Sequence, residues 1–68
     1  MFNRPAAGPP PDPELAAATS AARVAYERGL VREAADLYER ALTRARAMDD
    51  PAEIANAAYN VAACLITL

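Results

Sequence analysis

Asp36 and Glu39 stand three residues apart, the spacing that sets two carboxylates on one helix face, where such a pair can hold a metal ion or share a proton. With arginine neighbours, the same pair also reads simply as a solvated, mixed-charge face. A metal centre needs further ligands. The chain has no histidine and one cysteine, Cys64, so the usual zinc and iron ligand sets cannot be assembled. Cys64 has no internal disulfide partner, and beside Val61 and Leu65 without a basic neighbour it reads as a small hydrophobe rather than a redox thiol. No glycine-rich phosphate loop is present, nor a serine with a base at motif spacing. These residues point to a non-catalytic protein with no cofactor and no metal.

The basic residues are all arginine, and the net charge is −2. Arg23, Arg28, Arg32, Arg40, Arg44 and Arg46 are interleaved with acids rather than gathered into a stripe, which argues against nucleic acid as the partner. The start "MFNRPAAGPP" lacks the apolar stretch of a secretory signal, and no run reaches the ~18 apolar residues of a membrane span. The expected compartment is the cytoplasm, with no membrane partner.

The elements that must position these side chains follow from the punctuation. Residues 1–11 are too proline-rich for a helix and read as a disordered arm; Pro10 and Pro13 give a P-x-x-P spacing best read as linker. At "DPEL", Asp12 can accept from the first free amides, Pro13 sits where its missing N–H costs nothing, and Glu14 complements the helix dipole. The device recurs at "DDPAE", with Asp50 as cap, Pro51 as first helical residue and Glu53 placed to complete a capping box. The expected helices are 13–28, 31–47 and 51–68, grouped as a hairpin over 12–48 and a further helix over 49–68: an all-α fold.

Apolar spacing agrees. Leu15, Ala18, Ala22 and Ala25 form a narrow seam of mostly small side chains. The second segment carries Val31, Ala34, Tyr38, Ala41, Ala45 and Met48 at spacings of three and four, flanked by Leu37 and Leu42, while Asp36 precedes Arg40 by four on the polar side. The third has Ile54, Ala58, Val61, Leu65 and Leu68 on one stripe and Ala55, Tyr59, Ala62 and Ile66 on another, which implies neighbours on at least two sides. Gly29 decides the topology. Inside a single helix it would cost roughly 1 kcal/mol relative to alanine, in a rod of about 36 residues with nothing to lie against. As a left-handed residue past a helix end it lets the chain reverse into an antiparallel hairpin.

"GLVREAADLYERAL" resembles the second half of a tetratricopeptide repeat (TPR), with Gly29, Val31, Ala34, Tyr38, Ala41 and Leu42 at the family's turn, aliphatic, alanine, aromatic and Ala-Leu places. "YNVAACLITL" is similar to the first helix of a following repeat, through Asn60, Val61 and Ala62. The resemblance spans about residues 15–68 and implies an α-solenoid fragment: one repeat plus the first helix of a second. It implies a scaffold that binds a protein or peptide in a groove lined by Thr19, Arg23, Tyr26 and Glu27 from the first helix and by Tyr59 and Asn60 from the third. Asn60 aligns with an asparagine that some members use to grip a terminal carboxylate. Those members also use a lysine and a second asparagine on the preceding repeat, where this chain has Thr19 and Arg23, and the Arg23 guanidinium suits a carboxylate in its own way. Ala18, Ala21 and Ala25 replace the family's bulky residues, as suits an atypical repeat at the end of an array.

A core this small rarely supplies more than ~3–5 kcal/mol, and fewer than about three repeats are seldom stable alone. The expectation is that Ile54, Val61, Leu65 and Leu68 need a cover: a second copy, another protein, or further repeats of a longer chain. An alternative function follows, a helical unit that oligomerises through its apolar third helix.

Overall fold

The structure, a computed structural model, describes residues 12–68; the proline-rich arm expected over 1–11 lies outside the described residues, as does the first proline of the P-x-x-P spacing. Three helices follow one another, α1 (Pro13–Glu27), α2 (Val31–Ala47) and α3 (Pro51–Thr67), and the fold of the described residues is all-α.

α1 begins where its cap directs. The Asp12 side chain accepts from the Leu15 amide at 2.9 Å, and Pro13 fills the first helical position. The helix ends in a tight reversal: Gly29 adopts φ +82°, the Gly29 amide donates to the Tyr26 carbonyl at 3.0 Å, and the Leu30 amide donates to the Ala25 carbonyl at 2.9 Å. This pair of bonds is the Schellman arrangement, which satisfies carbonyls that a helix end otherwise leaves open. The glycine is the joint of an antiparallel α1–α2 hairpin.

The second joint is built the same way from a residue of another type. Asp49 takes φ 55°, its amide donates to the Arg46 carbonyl at 3.0 Å, and the Asp50 amide donates to the Ala45 carbonyl at 3.2 Å. Asp50 also caps α3, its side chain accepting from the Glu53 amide at 3.3 Å. Because the Asp50 amide is already committed to Ala45, the Glu53 half of the expected capping box has no donor to answer. One residue thus closes α2 with its backbone and opens α3 with its side chain.

α2 packs on both other helices, while α1 and α3 meet only slightly. Two apolar clusters result. Leu15, Ala41, Ala45 and Ala57 form one, with Ala18, Leu42, Met48 and Ile54 packed against it. Ala22, Ala25, Ala34, Ala35, Tyr38 and Cys64 form the other, with Val31, Leu37 and Val61 at its border. Most of the buried side chains are alanines, so the helices approach closely and each contact removes little apolar area. The helix with neighbours on two sides is therefore α2, not α3 as the apolar circumference of α3 suggests. α3 buries Ala57 and Cys64 against α2 and turns Ala55, Tyr59, Ala62 and Ile66 outward.

One ion pair ties the open end of the hairpin. Arg44, near the end of α2, donates through Nε to Asp12 Oδ2 and through Nη2 to Asp12 Oδ1, both at 2.9 Å, and its Nε lies 3.4 Å from Glu14 Oε1. The two-pronged bond from Arg44, and then the Leu15 amide, hold the Asp12 carboxyl below the usual carboxylate range. Asp36 and Arg40 do not join the ion pairs among the described residues, which are Arg23–Glu27, Arg44–Asp12 and Arg44–Glu14.

Two measurements check these joints. A Cβ built on Gly29 meets no atom within 4 Å, so Gly29→Ala tests backbone conformation alone and is expected to cost about 1 kcal/mol in urea unfolding. Asp49→Gly removes the same strain at the second joint and is expected to gain about 0.5 kcal/mol, part of the relief being offset by a freer unfolded chain. The lowered Asp12 value makes its contribution present above the ordinary carboxylate pKa of about 3.9 and lost as pH falls through the folded-state value. Asp12→Asn keeps an oxygen for the Leu15 amide but loses the charge. Urea titrations should find it less stable than the parent at neutral pH, with the difference shrinking as pH falls below the ordinary carboxylate range.

Candidate functional site

The side chains on which the sequence centres partner binding divide into two groups. Arg23, Tyr26 and Glu27 lie together on the exposed last turns of α1, with Thr19 half-buried one turn earlier. Arg23 Nη1 stands 3.6 Å from Glu27 Oε2, one helical turn along, with both side chains about 60% exposed (61% and 62%). Such a pair contributes little to stability and is readily exchanged for another partner. The Tyr26 hydroxyl shares a hydrogen bond of 3.1 Å with Thr67 Oγ1 of α3, and Thr67 also donates to the Ala63 carbonyl at 2.9 Å. This polar link joins the end of α1 to the end of α3.

Beneath this surface sits Tyr38, 8% exposed, wedged from α2 toward both neighbours in the cluster that holds Ala22, Ala25 and Cys64. Burial raises the Tyr38 phenol above its ordinary value, with Cys64, Glu27 and Tyr26 adding to the shift and Arg23 opposing it. Groups from three helices thus converge on one side of the molecule: Arg23, Tyr26 and Glu27 of α1, Tyr38 of α2, and Cys64 and Thr67 of α3. Asn60, half-buried, belongs to the α3 side.

Tyr59 does not join them. It is 73% exposed and shares the outward stripe of Ala55, Ala62 and Ile66. The self-association set also separates. Ile54 and Val61 are half-buried against the hairpin, and only Leu65 (58% exposed) and Leu68 (60% exposed) remain open. The four share one side of α3, spaced seven, four and three residues apart, and it is the two nearest its carboxy-terminal end that stay open. Ile66, 85% exposed, is the most open large apolar side chain of the described residues. Thr67 was missed because a threonine at a helix end carries no sequence signal for a partner 41 residues away.

No three side chains of the metal-ligating types come together among the described residues. Asp36 and Glu39 line a surface hollow along α2 with Arg40, Thr43 and Arg44. No helix of the described residues is long and apolar enough to cross a membrane. Comparison with protein-family models, with curated proteins and with solved structures gives no match for this chain.

Cys64 is 1% exposed, and burial pushes its thiol above the ordinary value. A thiol kept protonated and enclosed reacts only when the helices part. Modification by a chromogenic disulfide reagent at mildly alkaline pH is therefore expected to run at least about 100-fold slower than in the urea-unfolded chain, the factor for an opening of about 3 kcal/mol. An equal rate in the two states would show that α3 is not held against α2.

Proposed function

We propose that this chain is a non-catalytic, TPR-like interaction module that receives a peptide or helix on the side where the ends of α1 and α3 lie together. The observation that carries the reading is the Tyr26–Thr67 hydrogen bond at 3.1 Å. It ties the end of α1 to the end of α3 with α2 packed on both, in keeping with the layout that the TPR resemblance implies for a shared groove, and Arg23 and Glu27 lie exposed beside it.

The chemistry of such a surface is carboxylate and amide recognition. The Arg23 guanidinium, held only by a solvent-exposed Glu27, is free to exchange that partner for a carboxylate of the ligand. Asn60 supplies an amide able to donate and accept toward a peptide backbone. Arg44, by contrast, is committed to Asp12 through both oxygens and is set apart from the surface. A second reading, that the unit adds to copies of itself, draws on the open side of α3, where Tyr59, Leu65 and Ile66 are all more than half exposed.

Amide-resolved NMR against an arrayed panel of dodecamer peptides, each with a free and an amidated carboxy terminus, tests the first reading. Binding peptides should shift Arg23, Tyr26, Glu27 and Asn60, and Arg23→Ala should weaken the free-carboxylate forms by about tenfold, the worth of one charge-assisted hydrogen bond. Shifts confined to Asp36, Glu39 and Arg40 on the outer surface of α2 would refute the assignment.

A further inference from the structure

The outward stripe of α3 reads Ala55, Tyr59, Ala62, Ile66: small, large, small, large, at spacings of four, three and four. That spacing is unchanged when the helix is read backwards. Two copies laid antiparallel about an axis level with residues 60 and 61 set Ala55 opposite Ile66 of the second copy and Tyr59 opposite its Ala62. Every bulky side chain then meets an alanine, the alternation that lets helices interdigitate. A parallel pair sets Tyr59 against Tyr59 and Ile66 against Ile66 and has no such fit. We infer that the stripe Ala55, Tyr59, Ala62, Ile66 is an antiparallel docking surface for α3 of a second copy of this chain.

Charge and exposure support that occupant. The only charged residue of α3 is Glu53, in its first turn and off the stripe, so two copies meet without like-charge conflict, and antiparallel helix dipoles oppose favourably. Tyr59 and Ile66 are 73% and 85% exposed, so neither has to leave the core to make the contact. The 17 residues of α3 give about 25 Å of length and a strip about 10–12 Å wide, roughly 300 Å² a side. The total of about 600 Å² falls well short of the ~1,200 Å² of stable complexes, which makes the pair reversible and concentration-dependent. The surface adjoins the one proposed for peptides without sharing its residues, so either reading stands if the other fails.

Sedimentation of the full chain from micromolar to millimolar concentration tests this. The parent is expected to pass from monomer to dimer within that range. Ile66→Glu and Ala62→Glu should each weaken association at least tenfold while keeping the helical circular dichroism, and Leu68→Glu, off the stripe, should leave it unchanged. Direction is read by mixing Ala55→Cys with Ile66→Cys chains under mild oxidation; Cys64, 1% exposed, does not compete. The mixed 55–66 disulfide should dominate, because like positions lie about 16 Å apart along the paired helices. A monomer at millimolar concentration, dimerisation of Ile66→Glu equal to that of the parent, or a preference for 55–55 and 66–66 disulfides would each overturn the inference.

Discussion

Two-sided burial of α2 is the constraint on which the rest depends. Its inward surface is made of Ala34, Ala35, Tyr38, Ala41 and Ala45, bordered by Val31, Leu37 and Leu42, and shares its clusters with residues of both other helices. α2 is strongly two-faced, its charged residues on one side and this apolar surface on the other, and the apolar side needs cover. α1 and α3 each cover part of it, and neither has much else to pack against. Tyr38 marks the place where all three meet: it is the one large side chain among the buried residues of its cluster, set among alanines from α1 and α2 and the Cys64 thiol from α3. Its neighbours are small because its ring already fills the space between the helices.

The turns convert this packing requirement into a topology. Both reversals use three residues, a left-handed residue and the same two backbone bonds. Asp12 and Arg44 then fix the far end of the first hairpin with a two-pronged charged contact that also caps α1. Asp12, Arg44 and Asp50 thus spend their polar groups on the helix ends themselves. The Arg23–Glu27 pair is more exposed, and it lies on the side proposed for recognition.

The three helices, their order and their starts could be read from Asp12-Pro13, Gly29 and Asp50-Pro51, because caps and breakers act over a few residues and leave a local signature. The seams of α1 and α2 were legible in the same way: Leu15, Ala22, Ala25, Ala34, Tyr38, Ala41 and Ala45 are buried at their expected spacings. The side of α3 that packs was not legible. Alanine gives no contrast between buried and open positions, so two stripes fitted equally well, and Ala57 and Cys64, which belong to neither, are the residues that sink in. The Asp49 joint was hidden because aspartate announces caps more often than left-handed turns. Contacts between distant residues, Asp12 with Arg44 and Tyr26 with Thr67, depend on how the helices lie together, which spacing alone does not encode.

A core made mostly of alanine inverts the usual mutational economy. In an ordinary interior the largest side chains are the least replaceable, because trimming them opens voids. Here the smallest are: at Ala22, Ala34 and Ala45, each 0% exposed, even one added methyl group has nowhere to go and would drive two backbones apart. A sequence that keeps this fold is accordingly bound most tightly at its tiniest residues.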